Sequence, residues 1–362
     1  MAEVAPLDGP VPPLRAVYLY PTGDCNQRCR HCWVDAAHVT RSRGETPLGA
    51  AELCRALRPA RGLGLEWVKL TGGEPFVRRD TLAIIEGLRA EGLDVEIETN
   101  GTLVDEALAA ALGRAGVRRV SVSLDGATAA THDAHRGQPG AFGRTIRAIE
   151  RLRAHGVPVE VVFTLTRESE GEIDTLLDRC VALEVESFKM NFLTPLGRGR
   201  DLHAQGLAVP VRRALELARH VEEERGPTLP FAASTSLPLA FASRDRLRDG
   251  GGHRCPILNL LGVLGDGRLS ICGVGYLAPA LILGDLRRDA IDVVWRDSPV
   301  LRDLRDHLHA RLRGVCGRCL LSAACLGACR ANAYTPEGGF LEPYWFCQQA
   351  EAEGLFPPSR RR

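Results

Sequence analysis

The placement of cysteine constrains this chain more than any other feature. Cys25, Cys29 and Cys32 crowd into eight residues near the start. Only Cys54 and Cys180 occur between Trp33 and Arg254, and the last 108 residues hold Cys255, Cys272, Cys316, Cys319, Cys325, Cys329 and Cys347. Twelve cysteines in 362 residues are too sparse for a disulfide scaffold. The opening stretch MAEVAPLDGPVPPLRAV has acids and prolines where a signal peptide would carry a basic start and an apolar run. A cytoplasmic location is therefore expected, and there thiols stay reduced. Reduced thiols clustered at short spacing point to metal.

The remainder is ordinary for a globular protein, with 45% apolar and 25% charged residues. Forty-six basic residues against 45 acidic ones give a net charge of +1, which advertises no nucleic-acid surface. No apolar stretch approaches the roughly 18 residues of a membrane span. Along the first two hundred residues short β-branched runs alternate with helical patterns. Strands are expected at Val17–Thr22, Trp67–Thr71, Val95–Thr99, Arg119–Leu124, Val159–Leu165 and Ser187–Leu193. Helices are expected at Pro47–Arg58, Asp80–Ala90, Val104–Ala115, Phe142–His155 and Glu172–Leu183. This order describes an α/β chain built as a partial (β/α)6 barrel, TIM-like, whose ligands sit at the carboxyl ends of the strands. The division expected is an amino-terminal extension (1–16), a core barrel (17–200), a helical linker (201–250), a small cysteine-rich domain (251–350) organised by metal, and a solvated tail (351–362).

Cys25-x3-Cys29-x2-Cys32 offers three thiolates on one loop after a strand. Three ligands do not close a tetrahedral zinc site, whereas a cubane Fe–S cluster with three cysteines keeps one iron open to a ligand. A zinc knuckle or surface thiols are the plainer alternatives. The run DCNQRCRHC, with the aromatic His31 before its last cysteine, resembles the C-x3-C-x2-C signature of the radical S-adenosylmethionine (SAM) superfamily. Gly72-Gly73-Glu74-Pro75 resembles that superfamily's GGEP segment. The resemblance implies a 4Fe–4S cluster on Cys25, Cys29 and Cys32, whose open iron chelates SAM, and cleavage of SAM to a 5′-deoxyadenosyl radical. Glycines would admit backbone close to a ligand, and Glu74 would accept from the SAM ammonium. Asn100, Ser123 and Asp125 fall where family members contact the ribose and carboxylate of SAM, and Arg136 of THDAHRG is a candidate carboxylate partner. For Asn100-Gly101 and Asp125-Gly126, plain turn chemistry is the alternative. VVFTLT and FLTPLG are candidates to pack the adenine, although an apolar parallel strand reads the same way for core reasons.

In the carboxy-terminal array, Cys316-x2-Cys319-x5-Cys325-x3-Cys329 alone would fit a zinc ribbon, leaving Cys255, Cys272 and Cys347 unexplained. The complete seven-cysteine array resembles the SPASM domain of peptide-modifying radical SAM enzymes. That resemblance implies two auxiliary 4Fe–4S clusters, one on Cys255, Cys272 and Cys329 and one on Cys316, Cys319, Cys325 and Cys347. The stretch after Cys255, Pro256 to Leu261, has no thiol, and Gly273 follows Cys272 where sulfatase-maturating relatives have a base. Sulfatase maturation is therefore disfavoured, and an open iron is expected on the first auxiliary cluster. Cys54 and Cys180, within helical patterns, read as core packing.

The function expected first is modification of a ribosomally made peptide, by a thioether or carbon–carbon crosslink or by side-chain oxidation. It would be served by a flavodoxin- or ferredoxin-like electron donor. With 24 residues before Cys25, leader recognition would fall to a separate leader-binding protein or to the barrel itself. The competing expectation is oxidation or side-chain processing of a small molecule such as a tetrapyrrole, an amino sugar or a redox-cofactor precursor. A non-catalytic Fe–S or zinc protein is a third reading, which GGEP and the open cysteine loop oppose.

Overall fold

The computed structural model describes residues 11–41, 44, 46–248, 252 and 254–362. Six parallel strands follow one another around the sheet in chain order: β1 (Ala16–Leu19), β2 (Trp67–Leu70), β3 (Asp94–Thr99), β4 (Arg119–Ser123), β5 (Val159–Leu165) and β6 (Ser187–Phe192). Between them run α1 (Ala50–Leu57), α2 (Thr81–Ala90), α3 (Glu106–Ala115), α4 (Ala129–Arg136), α5 (Ala141–Ala154) and α6 (Ile173–Ala182). The partial barrel read from the sequence is the observed core, with strand ends displaced by up to three residues. Helix α4 is absent from the sequence reading. Its eight residues are too polar to show an apolar stripe, and it starts because the Thr128 side chain accepts the Thr131 N–H.

The sheet has ten strands, not six. Strand β7 (Ala232–Thr235) adds parallel to β6. It lies in the span expected to be a helical linker, which does supply α7 (Val211–Arg219). Four small residues, Ala-Ala-Ser-Thr, give no periodic signal, and their pairing comes from β6 alone. On the opposite edge β8 (Leu260–Val263) pairs parallel with β1, and β9 (Arg268–Ser270) and β10 (Ile282–Asp285) continue antiparallel. The first part of the cysteine-rich segment is thus hydrogen-bonded into the barrel sheet. The expected boundary near residue 250 falls on the run 249–253, most of which lies outside the described residues.

The strands alternate sharply. Val68, Leu70, Val95, Ile97, Val120, Val122, Val161, Phe163, Phe188 and Met190 are fully buried under the helices. The intervening positions, Lys69, Glu96, Glu98, Arg119, Ser121, Glu160 and Lys189, face the barrel interior. A parallel sheet covered on both faces would read as continuous apolar runs; this one has a polar lumen. The tail is docked rather than free: Leu320 N–H donates to Arg360 O at 2.9 Å, and Arg362 N–H to Arg318 O at 2.8 Å. Cys54 and Cys180 lie within the apolar core, as expected. No helix among the described residues is long and apolar enough to cross a membrane.

Candidate functional site

The loop after β1 carries the first three cysteines, and three segments fix its path. Gly73 N–H donates to Thr22 O at 3.1 Å and Glu74 N–H to Asp24 O at 2.9 Å. A β-carbon on Gly73 would come within 1.9 Å of the Asp24 carbonyl oxygen, so glycine here admits the cysteine loop. The sequence reading expected that close approach to be made by a ligand. Arg28 and Arg30 N–H donate to the carbonyls of Arg136 and His135 at the end of α4. After β6, Arg198 N–H donates to Cys32 O at 3.0 Å and its Nε–H to Cys29 O at 2.8 Å. Arg198, the residue after FLTPLG, thus also clamps the loop. Pro75 is buried and opens a single 3-10 turn.

Charged side chains then tie the loop to the barrel. Glu74 is buried, and burial pushes its carboxyl up to about 6. Its Oε1 accepts Thr99 Oγ1–H at 2.7 Å and Phe76 N–H at 3.3 Å, and its Oε2 accepts Asn100 N–H at 2.8 Å. Asn100 is equally committed, its Nδ2 donating to Asn26 Oδ1 and its Oδ1 accepting from Thr102. Asp125 is fully buried and is not among the residues that line the cavity. Its Oδ1 accepts Thr164 N–H at 2.8 Å, while Oδ2 lies 2.6 Å from Arg136 Nη2 and 3.1 Å from His31 Nε2. Burial alone would push its carboxyl up, but Arg136 and His31 hold it well below the usual range. Arg136 has its carboxylate partner within the chain, and its Nη1 donates to Cys29 Sγ at 3.6 Å. Of the expected cofactor residues, His31, Gly72, Gly73, Glu74, Asn100, Ser123 and Arg136 line the adjoining cavity; Gly73, Glu74, Asn100 and Arg136 also hold the cysteine loop.

That cavity, about 580 Å³, is bordered by Cys25, Cys29 and Cys32 and also by Cys255, Cys272 and Cys329. Cys255 and Cys272 each lie in the electrostatic field of Cys329. Cys316, Cys319, Cys325 and Cys347 form a separate set, in which Cys347 donates to Cys316, lowering the Cys316 thiol and raising its own. Cys255, Cys272 and Cys329 border the cavity, and the other four array cysteines do not line it. Arg330, fully buried beside both, donates to Phe340 O at 2.8 Å and Glu342 O at 2.9 Å, and also to Gly327 O.

Hydrogen bonding tests whether these sulfurs suit clusters. Backbone N–H groups of Gln27, Ala36, Leu321, Ala328 and Tyr344 donate to Cys25, Cys32, Cys319, Cys325 and Cys316 at 3.2–3.4 Å. Cys255 and Cys272 accept from the Arg330, Ile257 and Val274 amides. Cys54 donates to Ile84 O, and Cys29 donates to Gln27 Oε1 at 3.6 Å. Accepting amides stabilise the thiolate a cluster requires. Burial opposes that charge, pushing the Cys25 and Cys272 thiols up and Cys255 to about 12, so a bound metal must supply the compensating charge. No three His, Cys, Asp or Glu side chains among the described residues converge on one metal ion. Cys25, Cys29, Cys32, Cys255, Cys272 and Cys329 instead border one cavity. The donor set fits.

Sequence reasoning missed Lys69, Glu98, Lys189 and Arg330. The signal lay in WVKL, DVEIET and SFKMNF, where charge recurs at alternate positions of otherwise apolar strands.

The model of the radical SAM superfamily matches residues 19–180. The AdoMet-dependent heme synthase of Methanosarcina barkeri is 32% identical over 339 residues, covering 90% of this chain and 94% of that protein. The mycofactocin maturase MftC of Mycobacterium ulcerans is 29% identical over 333 residues, covering 86% and 81%. Streptococcus suis SuiB bound to S-adenosylmethionine shares the fold, with a TM-score of 0.72 at 19% identity over 93% of this chain and 78% of that one. With the cysteine loop at the carboxyl ends of a partial barrel and a relative this similar along nearly its whole length, the chain belongs to the radical SAM superfamily, whose cofactors are S-adenosylmethionine and 4Fe–4S clusters.

Proposed function

We propose that the chain oxidises or processes a side chain of a tetrapyrrole, starting from hydrogen abstraction by a 5′-deoxyadenosyl radical. The observation that carries this reading is the end-to-end likeness to the Methanosarcina barkeri heme synthase. It reverses the sequence-based order of preference, which put a peptide first. The cavity supports it, being lined by apolar as well as charged side chains and bounded by two cysteine sets.

In this reading Cys25, Cys29 and Cys32 hold the cluster that binds and reductively cleaves SAM. Arg136 and Asp125 fix the loop, while Glu74 and Asn100 set the strand ends against it. Cys255, Cys272 and Cys329 hold a first auxiliary cluster with an open iron toward the cavity, and Cys316, Cys319, Cys325 and Cys347 a second. The chain's part is to exclude water and to aim one substrate carbon at the radical. A flavodoxin- or ferredoxin-like protein supplies the electron, and the reaction is cytoplasmic.

A peptide substrate is the second reading, favoured by the likeness to mycofactocin maturase. Anaerobic incubation of the reconstituted enzyme with SAM, reductant and either iron coproporphyrin III or a peptide encoded beside the gene separates the two. A SAM-dependent mass change in the porphyrin supports the tetrapyrrole. A mass change in the peptide alone overturns it.

A further inference from the structure

The polar lumen contains several ionisable groups, and their pairing leaves one over. Lys69 Nζ lies 2.6 Å from Glu98 Oε1, and Glu98 Oε2 accepts Thr71 Oγ1–H at 2.7 Å. Arg119 lies 3.3 Å from Glu96 and 3.5 Å from Glu160. Glu160 also accepts Ser121 Oγ–H at 2.7 Å and Ser187 Oγ–H at 3.4 Å. Each of these carboxylates has its cation or hydroxyl. Lys189 has neither: among the described residues it makes no hydrogen bond or ion pair. Burial and the neighbouring Lys69 ammonium push its own ammonium down from the usual value, against the weaker opposing pull of Glu98 and Glu160. Its side chain lines the cavity.

We propose that Lys189 anchors a carboxylate of the substrate, so that the barrel accepts an acid and rejects its neutral ester. A half-buried ammonium at a cavity wall, with no partner among the described residues, carries a desolvation cost that a bound anion would offset. It persists where a group outside the chain completes it, which makes it a site candidate. The strand register places Lys189 between Val162 of β5 and Ser234 of β7. It is one inward position before Asn191, or about 7 Å along the strand. The lysine therefore stands on the barrel side of the cavity, set back from the cysteine loop at the strand ends. The class of ligand rests on the tetrapyrrole reading, since such macrocycles carry peripheral carboxylates. The cofactor's own carboxylate is the competing source of the same chemistry.

The test titrates the reconstituted holoenzyme with coproporphyrin III and with its tetramethyl ester, followed by porphyrin absorbance, and measures SAM affinity in parallel. Lys189→Gln should lose about tenfold or more in affinity for the acid, the usual effect of deleting a charged hydrogen bond. Its weak affinity for the ester and its affinity for SAM should not change, and Lys189→Arg should restore part of the loss. Wild-type affinity for the acid in Lys189→Gln overturns the proposal, as does an equal loss of SAM affinity, which would give the lysine to the cofactor. A wild-type enzyme that binds neither porphyrin removes the tetrapyrrole reading alone. Lys189 is then judged with sodium propionate against sodium chloride at equal ionic strength: propionate should raise the melting temperature of wild type and not of Lys189→Gln, and equal responses overturn the anchor. The ligand-free Lys189→Met variant should melt at or above wild type, because no native partner is lost. A drop of several degrees would reveal a structural partner and overturn the proposal as well.

Discussion

Asp125→Asn isolates the charge that holds the cysteine loop to the barrel. Asparagine keeps the shape and can still accept the Thr164 N–H. It removes the anion 2.6 Å from Arg136 and 3.1 Å from His31, leaving a buried guanidinium with only the Cys29 sulfur beside it. Removing one member of a buried ion pair typically costs about 3–5 kcal/mol. With an unfolding entropy of about 2.1 cal/mol/K per residue over the chain, that corresponds to about 4–7 °C in melting temperature. Anaerobic thermal unfolding of the reconstituted protein reads the shift, and iron content reads whether the loop still loads. The sign with pH follows from the lowered folded-state pKa of Asp125. Its stabilisation is present above the unfolded carboxylate range near 3.9 and is lost as pH falls through the folded value. The gap between wild type and variant should therefore narrow in acid. The double variant Asp125→Asn/Arg136→Gln should recover part of the loss, because no lone charge remains. A single variant within about 1 °C of wild type, or a double variant equal to the sum of the singles, refutes the ion-pair account.

Alanine at Cys25, Cys29 or Cys32 should abolish 5′-deoxyadenosine formation while the carboxy-terminal iron stays, as iron and product assays will read. Alanine at Cys272 and at Cys347 should each remove about four irons, and each should leave the other auxiliary cluster's spectrum intact. Glu74→Ala frees Thr99 and Asn100 from their shared acceptor and should weaken SAM binding roughly tenfold without loss of iron; unchanged affinity would make Glu74 purely structural. Gly73→Ala pushes a methyl into the Asp24 carbonyl and should prevent loading of the amino-terminal cluster at near-native circular dichroism. His220 is held above its ordinary value by Glu224 and Asp174, so its contribution is full below about pH 6.5 and lost as pH rises through the folded value. Being largely exposed, it should be worth less than about 1 kcal/mol in His220→Ala melts.

What could be read from the sequence was whatever local spacing encodes. Valine and isoleucine runs bounded by Gly-Gly, Asn-Gly and Asp-Gly located six strands, because the strand period and the turn residues act over a few positions. Ala232–Thr235 escaped, since its conformation is imposed by β6 and its four side chains say nothing. The cysteine groups were legible because thiols at short spacing have few other uses; that Cys255, Cys272 and Cys329 come to border the same cavity as Cys25, Cys29 and Cys32 depends on β8 pairing with β1 across some 240 residues, which no local pattern carries. For Asp125 and Arg136 the residue types were informative and the directions were not. A carboxylate and a guanidinium at strand and helix ends suit a zwitterionic cofactor, and they suit each other equally well. Eleven residues apart in sequence, they meet because α4 folds back onto the cysteine loop. Lys189 is the sharpest case. An ammonium inside a strand is unremarkable until each neighbouring carboxylate is found to be paired, and those pairs join β2 to β3 and β4 to β3 and β5. Its meaning is a remainder after all the other charges have been matched, and a remainder exists only once the barrel has closed.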